Sequence, residues 1–297
     1  MKEIRISQNL TQKKICEKVL INQETLRKIE NGIVIPKQET LDLLSIALNL
    51  DLSEMFLNYR LDNFDAFQNL KISIDEHLED GNYKGIEEDL THLKNIVDSN
   101  MNDFFRNKLI QLICMLEAIL LEQNTQNYNL SIDKYIQALS FTLKNFTLDK
   151  YSTYYYNELE LRLLMNIALA HFRLSSREQA IALIDFCINF YTSNLSTSQH
   201  ALLSKLYYNM SNLQHQLGNN EKALDYAELG IQHTISARSI VALAHLYYRK
   251  GIAEFLLGKP SYLHTLTYAK NLFITSNQLN VHDNIIKACA KYYGITL

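Results

Sequence analysis

The chain is short of the residues that interrupt helices. Its 297 residues include two prolines and eight glycines, too few for the frequent tight turns of a sandwich or barrel. Leu, Ala, Lys, Glu and Gln are abundant in their place, which predicts an all-α protein. The four cysteines (Cys16, Cys114, Cys187, Cys289) are dispersed and form no CxxC pair. That spacing points to buried, reduced thiols rather than a disulfide framework. No run of about 18 apolar residues is available to span a bilayer, and the opening MKEIRISQNL has no apolar signal-peptide core. A cytoplasmic protein without membrane contact is the expectation. Catalytic signatures are missing as well: there is no HExxH, P-loop, GxGxxG or GxSxG, and the nine histidines lack metal-ligand spacing. Acidic pairs such as Glu87–Glu88 and Glu158/Glu160 read as solvated helix faces. Neither an enzyme nor a bound cofactor or metal is expected.

What is present begins with an uneven charge. Residues 1–37 carry eight Lys/Arg against four Glu, a local +4 in a chain of net charge −3, so the remainder carries −7. A basic head on an acidic body suits a small polyanion-binding unit attached to a part that does not bind nucleic acid. Within the head, Ile4 starts a short first helix that ends near Asn9. Thr11 is placed to cap a second, with Ile15 and Val19 on one face. Asn22 can cap a third, turning Leu26 and Ile29 inward and Gln23, Glu24, Arg27 and Lys28 outward. The outward set has the hydrogen-bonding chemistry that reads base edges. Gly32 and Pro36 end this helix, and two more are predicted, Gln38–Leu48 and Leu52–Arg60.

The stretch LTQKKICEKVLINQETLRKIENG, Leu10–Gly32, resembles the Cro/C1-type (XRE-like) helix-turn-helix family without a gap. That resemblance implies that Gln12 opens the second helix near a phosphate and that Gln23, Glu24 and Lys28 face bases. Arg27 and Asn31 would flank the DNA backbone. Leu20 departs from the family by replacing the turn glycine, at a cost of about 1 kcal/mol if the position is left-handed. Asn22 replaces the usual Ser/Thr.

After residue 60 the pattern is repetition. LGNNEKALDYAELG (Leu217–Gly230) resembles the second half of a tetratricopeptide repeat, with small residues at Ala223 and Ala227. Related turn-plus-helix strings begin at Gly81, Asn127, Ser175 and Leu257. Aligning Ile86, Ile132, Ala180, Ala223 and Leu263 gives spacings of 46, 48, 43 and 40, longer than the roughly 34 of standard repeats. A solenoid of about five long helical hairpins is therefore expected. The boundaries read as a head over 1–60, a linker helix over 61–72, and the solenoid over 73–297. In such repeats the first helix of each hairpin lines the groove. Counting back from the aligned positions places Asn166, Asn209 and Arg249 in one column. Arg162, Lys205 and His245 fall in a second, and Met165, Tyr208 and Tyr248 in a third. Asn212 and Gln216 extend the polar stripe. An Asn amide can both donate to and accept from a peptide main chain, and the cations can hold a carboxylate.

The whole arrangement resembles the peptide-pheromone receptors of Gram-positive bacteria (the Rap/Rgg/NprR/PlcR/PrgX superfamily), most closely the PlcR-like regulators. The strings LYYN (Leu206–Asn209) and LYYRKG (Leu246–Gly251) carry part of that likeness. It implies a homodimer that binds double-stranded DNA and is controlled by a short signalling peptide, with paired groove asparagines, Asn166 and Asn209, clamping the peptide main chain. Activation is the outcome the resemblance implies; its sign does not follow from the residues. Two other readings stay open: a solenoid that docks a partner protein, and a Rap-like inhibitor of a signalling protein that does not bind DNA.

Overall fold

The computed structural model describes residues 2–8, 10–48, 52, 64–97, 103–194, 201–237, 240 and 242–297. All regular structure among them is helical, arranged as a head and a tetratricopeptide-like stack of hairpins. The chain divides into two compact units, Met1–Asn69 and Leu70–Leu297.

The first unit contains α1 (Lys2–Ser7), α2 (Gln12–Val19), α3 (Gln23–Glu30) and α4 (Gln38–Leu48). Helix α1 starts and stops about two residues earlier than its sequence suggests. Both expected caps form. Thr11 Oγ1 accepts from Lys14 N at 3.2 Å and Asn22 Oδ1 from Glu24 N at 2.8 Å, each satisfying an amide that the first helical turn leaves without a partner. Ile15, Val19, Leu26 and Ile29 pack with Leu41, Leu44, Leu48 and Leu52 into one core. The expected helix Leu52–Arg60 lies outside the described residues except for Leu52, whose amide donates to Ser45 Oγ at 3.0 Å.

The second unit begins within α5 (Phe64–Asp80), a single helix whose first part is the stretch read as a linker. Five hairpins follow from pairing α5 with α6 (Tyr83–Ile96), α7 (Asp103–Thr125) with α8 (Tyr128–Ser140), and α9 (Glu158–Arg173) with α10 (Arg177–Asn194). The last two pair α11 (Ala201–Gln216) with α12 (Asn220–Ser236) and α13 (Leu243–Leu256) with α14 (Tyr262–Thr275). Helix α15 (Leu279–Ala288) packs on α14. From α7 onward each hairpin packs on the next, and the first helices α9, α11 and α13 also touch one another in sequence. Asp80 Oδ2, at the end of α5, accepts from Asn280 Nδ2 of α15 at 2.6 Å.

Within the hairpins the turn repeats one device: a left-handed residue, then the cap of the second helix. Gly81, Gln126, Ser175, Gly218 and Gly258 all have φ between 55° and 81°. Asn82 and Asn127 then cap α6 and α8 through their side chains. The aligned residues Ile86, Ile132, Ala180 and Ala223 are buried, but Leu263 is 47% exposed. The fifth turn runs Leu257–Ser261, two residues longer than Leu217–Asn219 of the fourth. Thr265, 6% exposed, therefore takes the place that the sequence alignment gave to Leu263. Of the four cysteines, Cys187 and Cys289 are buried, Cys16 and Cys114 are half-buried, and none is paired.

Close approach sets one requirement that hydrophobicity alone does not. A Cβ on Gly251 of α13 would stand 2.6 Å from Leu266 Cγ and Cδ2 and 3.2 Å from the Leu266 backbone nitrogen on α14. Gly251→Ala is expected to lower stability by about 1–3 kcal/mol, as overpacking does in a filled core. Urea unfolding of the variant against the parent measures it.

Candidate functional site

Two sets of residues stand out, one in each unit. In the first, α3 buries Leu26 and Ile29 and presents Gln23, Glu24 and Arg27 to solvent, with Lys28 half-buried beside them. The turn before it passes through Leu20 at φ 56°, ψ 36°, the left-handed conformation that suits glycine. The leucine is 92% exposed, so it gains no packing in return. On the outer face Arg27 grips Glu24 with Nε–Oε2 at 2.8 Å and Nη2–Oε1 at 2.7 Å. These hydrogen bonds hold the Glu24 carboxyl below its ordinary range. Lys28 Nζ lies 3.9 Å from the same carboxylate. Asn31 is the exposed C-cap of α3, its N–H donating to Arg27 O.

Gln12 has a commitment that its sequence position does not reveal. Its Nε2 donates to Glu30 Oε2 at 2.7 Å. Arg5 closes on the same carboxylate with Nε–Oε1 at 2.6 Å and Nη2–Oε2 at 3.0 Å, and its Nη1 donates to Leu10 O at 2.8 Å. The Glu30 side chain is 1% exposed. Burial pushes its carboxyl pKa up, but the hydrogen bonds from Arg5 and Gln12 and the Arg5 charge prevail and hold it below the ordinary value. Through Glu30, Arg5 fastens α1 and Gln12 fastens α2 to the end of α3, a structural role that sequence reasoning missed. The available signal was Glu30 itself, the acid two residues before Gly32 in the helix-turn-helix pattern.

In the second unit the first helices of all five hairpins contribute to one cavity of about 190 Å³. Leu78 and Glu79 come from α5, Ile119 from α7, and Arg162, Met165 and Asn166 from α9. Lys205, Tyr208 and Asn209 come from α11, and Ala242 and His245 from the start of α13. Seven residues placed in columns from sequence therefore share one wall: Arg162, Met165, Asn166, Lys205, Tyr208, Asn209 and His245. Asn209 is 9% exposed and its Nδ2 lies 3.3 Å from Met165 Sδ, a weak acceptor that a peptide carbonyl would outmatch. Asn166 makes no side-chain hydrogen bond among the described residues.

The cations of this wall are not free. Arg162 Nη1 lies 2.7 Å from Asp75 Oδ1 and Lys205 Nζ lies 2.9 Å from Glu79 Oε1. Burial, with the neighbouring Arg162 charge, pushes the Lys205 ammonium pKa down, and Glu79 opposes that shift. Burial and the charges of Arg249 and Lys205 bring His245 down to about 4, so its imidazole is neutral at pH 7. Its ring packs edge-on against Tyr208 and Phe273 at 5.2 and 4.8 Å.

Three residues expected in the groove stand outside this lining. Tyr248 is 6% exposed in the core with Ile252, Phe273 and Cys289. Arg249 packs its guanidinium 5.0 Å from the Tyr248 ring and 5.4 Å from the Tyr208 ring, a cation–π arrangement behind the wall. Asn212 accepts from Gln216 Nε2 at 3.3 Å. No group of three or more possible metal ligands occurs among the described residues, and no described helix is long and apolar enough to cross a membrane.

Residues 1–55 match the helix-turn-helix family HTH_3. No curated protein sequence matches the chain. Among solved structures, the chain is similar to PlcR of Bacillus thuringiensis in complex with the peptide PapR7 and DNA. The TM-score is 0.78 at 17% identity, covering 96% of each chain. It is also similar to Rgg2, the SHP pheromone receptor of Streptococcus dysgalactiae, at TM-score 0.59 and 12% identity, covering 98% of this chain and 97% of that one. A third is ComR from S. thermophilus, solved with DNA and its signalling peptide ComS, at TM-score 0.57 and 12% identity over 99% and 98%.

At 12–17% identity these similarities show the fold: a helix-turn-helix head followed by a tetratricopeptide-like stack of hairpins.

The Glu30 cluster makes a pH prediction. A carboxyl held below its unfolded value stabilises the fold fully above that value, about 4.3, and loses the contribution as pH falls through the lower, folded pKa. Glu30→Ala would strand a half-buried Arg5 and is expected to cost about 3 kcal/mol. It should also flatten the fall in head stability below pH 4, read by circular dichroism melts across pH.

Proposed function

We propose that the chain is a quorum-sensing-type transcription regulator that binds a pseudo-palindromic DNA site as a homodimer. A short signalling peptide, held along the first helices of the solenoid, controls it. The observation that carries the peptide reading is the cavity shared by all five hairpins, with Asn166 and Asn209 in phase on successive first helices. Two amides one hairpin apart suit an extended main chain, each able to donate and to accept. The structures of PlcR and ComR, which hold both DNA and a peptide, support the same assignment. The protein acts in the cytoplasm, where imported peptide and DNA meet.

On this reading the dimer sets two α3 helices into successive major grooves. Gln23 and Lys28 read base edges, Glu24 is steered by Arg27, and Arg27 and Asn31 flank the backbone. Peptide binding shifts the population between two dimer geometries by its difference in affinity for them, and activation is the outcome. The signal leaves the solenoid through the linker, in which residues 61–63 lie outside the described part.

Selection of duplexes from a randomised pool tests the head. Gln23→Ala with Lys28→Ala should abolish sequence preference while leaving salt-dependent, non-specific binding in place. Asn209→Ala should weaken a peptide that binds the parent by about tenfold, as a main-chain group loses its partner; an unchanged dissociation constant in fluorescence anisotropy rejects the groove assignment. A solenoid that docks a partner protein would retain no short peptide at all.

A further inference from the structure

Helix α5 forms one wall of the groove and also holds its cations. Asp75 and Glu79 are four residues apart and share a face of α5. Arg162 and Lys205 occupy the same phase of two successive first helices. Two acids at helical spacing thus meet two cations at hairpin spacing, at 2.7 and 2.9 Å. Among the described residues neither acid makes another hydrogen bond or ion pair. The Arg162 and Lys205 side chains are each 18% exposed, Glu79 is 21% exposed and Asp75 40%. Asp75 borders solvent and can turn back into it, while Glu79 sits at nearly the depth of its lysine. The cations are set into the wall, and Lys205 lines the cavity with Glu79 beside it.

We propose that Asp75 and Glu79 are an internal stand-in for an acidic group of the ligand: a ligand carboxylate takes Arg162 and Lys205 from them, and α5 is released from the groove wall. This rests on the peptide reading above and adds to it the chemistry of the ligand and the element that moves. Exchanging one carboxylate for another leaves the cations buried and paired in both states. Little new desolvation is needed, so modest differences in affinity decide the population. The moving element is the helix by which the chain enters the solenoid. The burial that lowers the Lys205 pKa in spite of Glu79 means that a better-placed anion still gains there. The carboxylate has two possible sources, a peptide C-terminus or an Asp/Glu side chain, and both offer the same two oxygens.

The test incubates the full chain with randomised octapeptides and reads retained sequences by mass spectrometry. One pool has free C-termini, one is amidated, and one lacks Asp and Glu. Acidic peptides should be retained; loss of retention in the amidated pool identifies the terminal carboxylate, and loss in the third pool a side chain. The double variant Asp75→Asn/Glu79→Gln should bind the same peptides about three- to tenfold more tightly, as two partly exposed competing pairs are removed. Hydrogen exchange of amides 70–80 should rise when a retained peptide is added to the parent chain, a readout independent of whether the variant folds. Retained peptides with no acidic preference, an unchanged dissociation constant in a folded variant, or unchanged exchange over 70–80 each overturn this inference and leave the peptide reading standing. No retention from any pool overturns both.

Discussion

A helical hairpin cannot bury its own apolar face, and the solenoid unit follows from that constraint. Each hairpin must be covered by the next, and where helices come closest the side chain must vanish, as at Gly251 under Leu266. Stacking has a functional by-product. When first helices lie side by side in register, residues at one phase fall into columns, so Arg162/Lys205 and Asn166/Asn209 face the same cavity with no further device. The groove is the uncovered side of the packing that holds the fold together.

The head solves a different problem. Its helices are short, and short helices are marginal alone. They are held by a small apolar core and by one nearly inaccessible carboxylate that collects Arg5 and Gln12. Because Glu30 sits at the end of α3 and points inward, the fastening leaves the opposite face of that helix free. The Glu30 cluster and the exposed Gln23, Glu24 and Arg27 occupy different sides of the same short helix, separated by its 3.6-residue period.

Local chemistry was legible in the sequence. The caps Thr11 and Asn22, the left-handed Leu20 and the span Gln38–Leu48 all rest on interactions within a few residues. The hairpins were legible because their turns repeat. Columns could be counted because a helix keeps its phase: Arg162, Lys205 and His245 line one cavity with Asn166 and Asn209, while the fifth-hairpin residues Tyr248 and Arg249 lie outside that lining. Partners remote in sequence were not legible. Asp75 lies 87 residues from Arg162, and Gln12 lies 18 from Glu30; no periodicity links such pairs. Tyr248 keeps the phase of Tyr208 but packs with Phe273, Ile285, Cys289 and Ile295, residues of the C-terminal elements whose placement no helical period announces.

The bond between Asp80 and Asn280 joins residues 200 apart in sequence. Repeat arrays ordinarily unravel from whichever end is weaker, one unit at a time, since each unit knows only its neighbours. Here the opening helix of the array touches the closing one. The two ends share a contact, so loosening at α5 has a path to α15 that does not travel through the four hairpins between, and the solenoid is less a spring with two loose tips than a clasped bracelet.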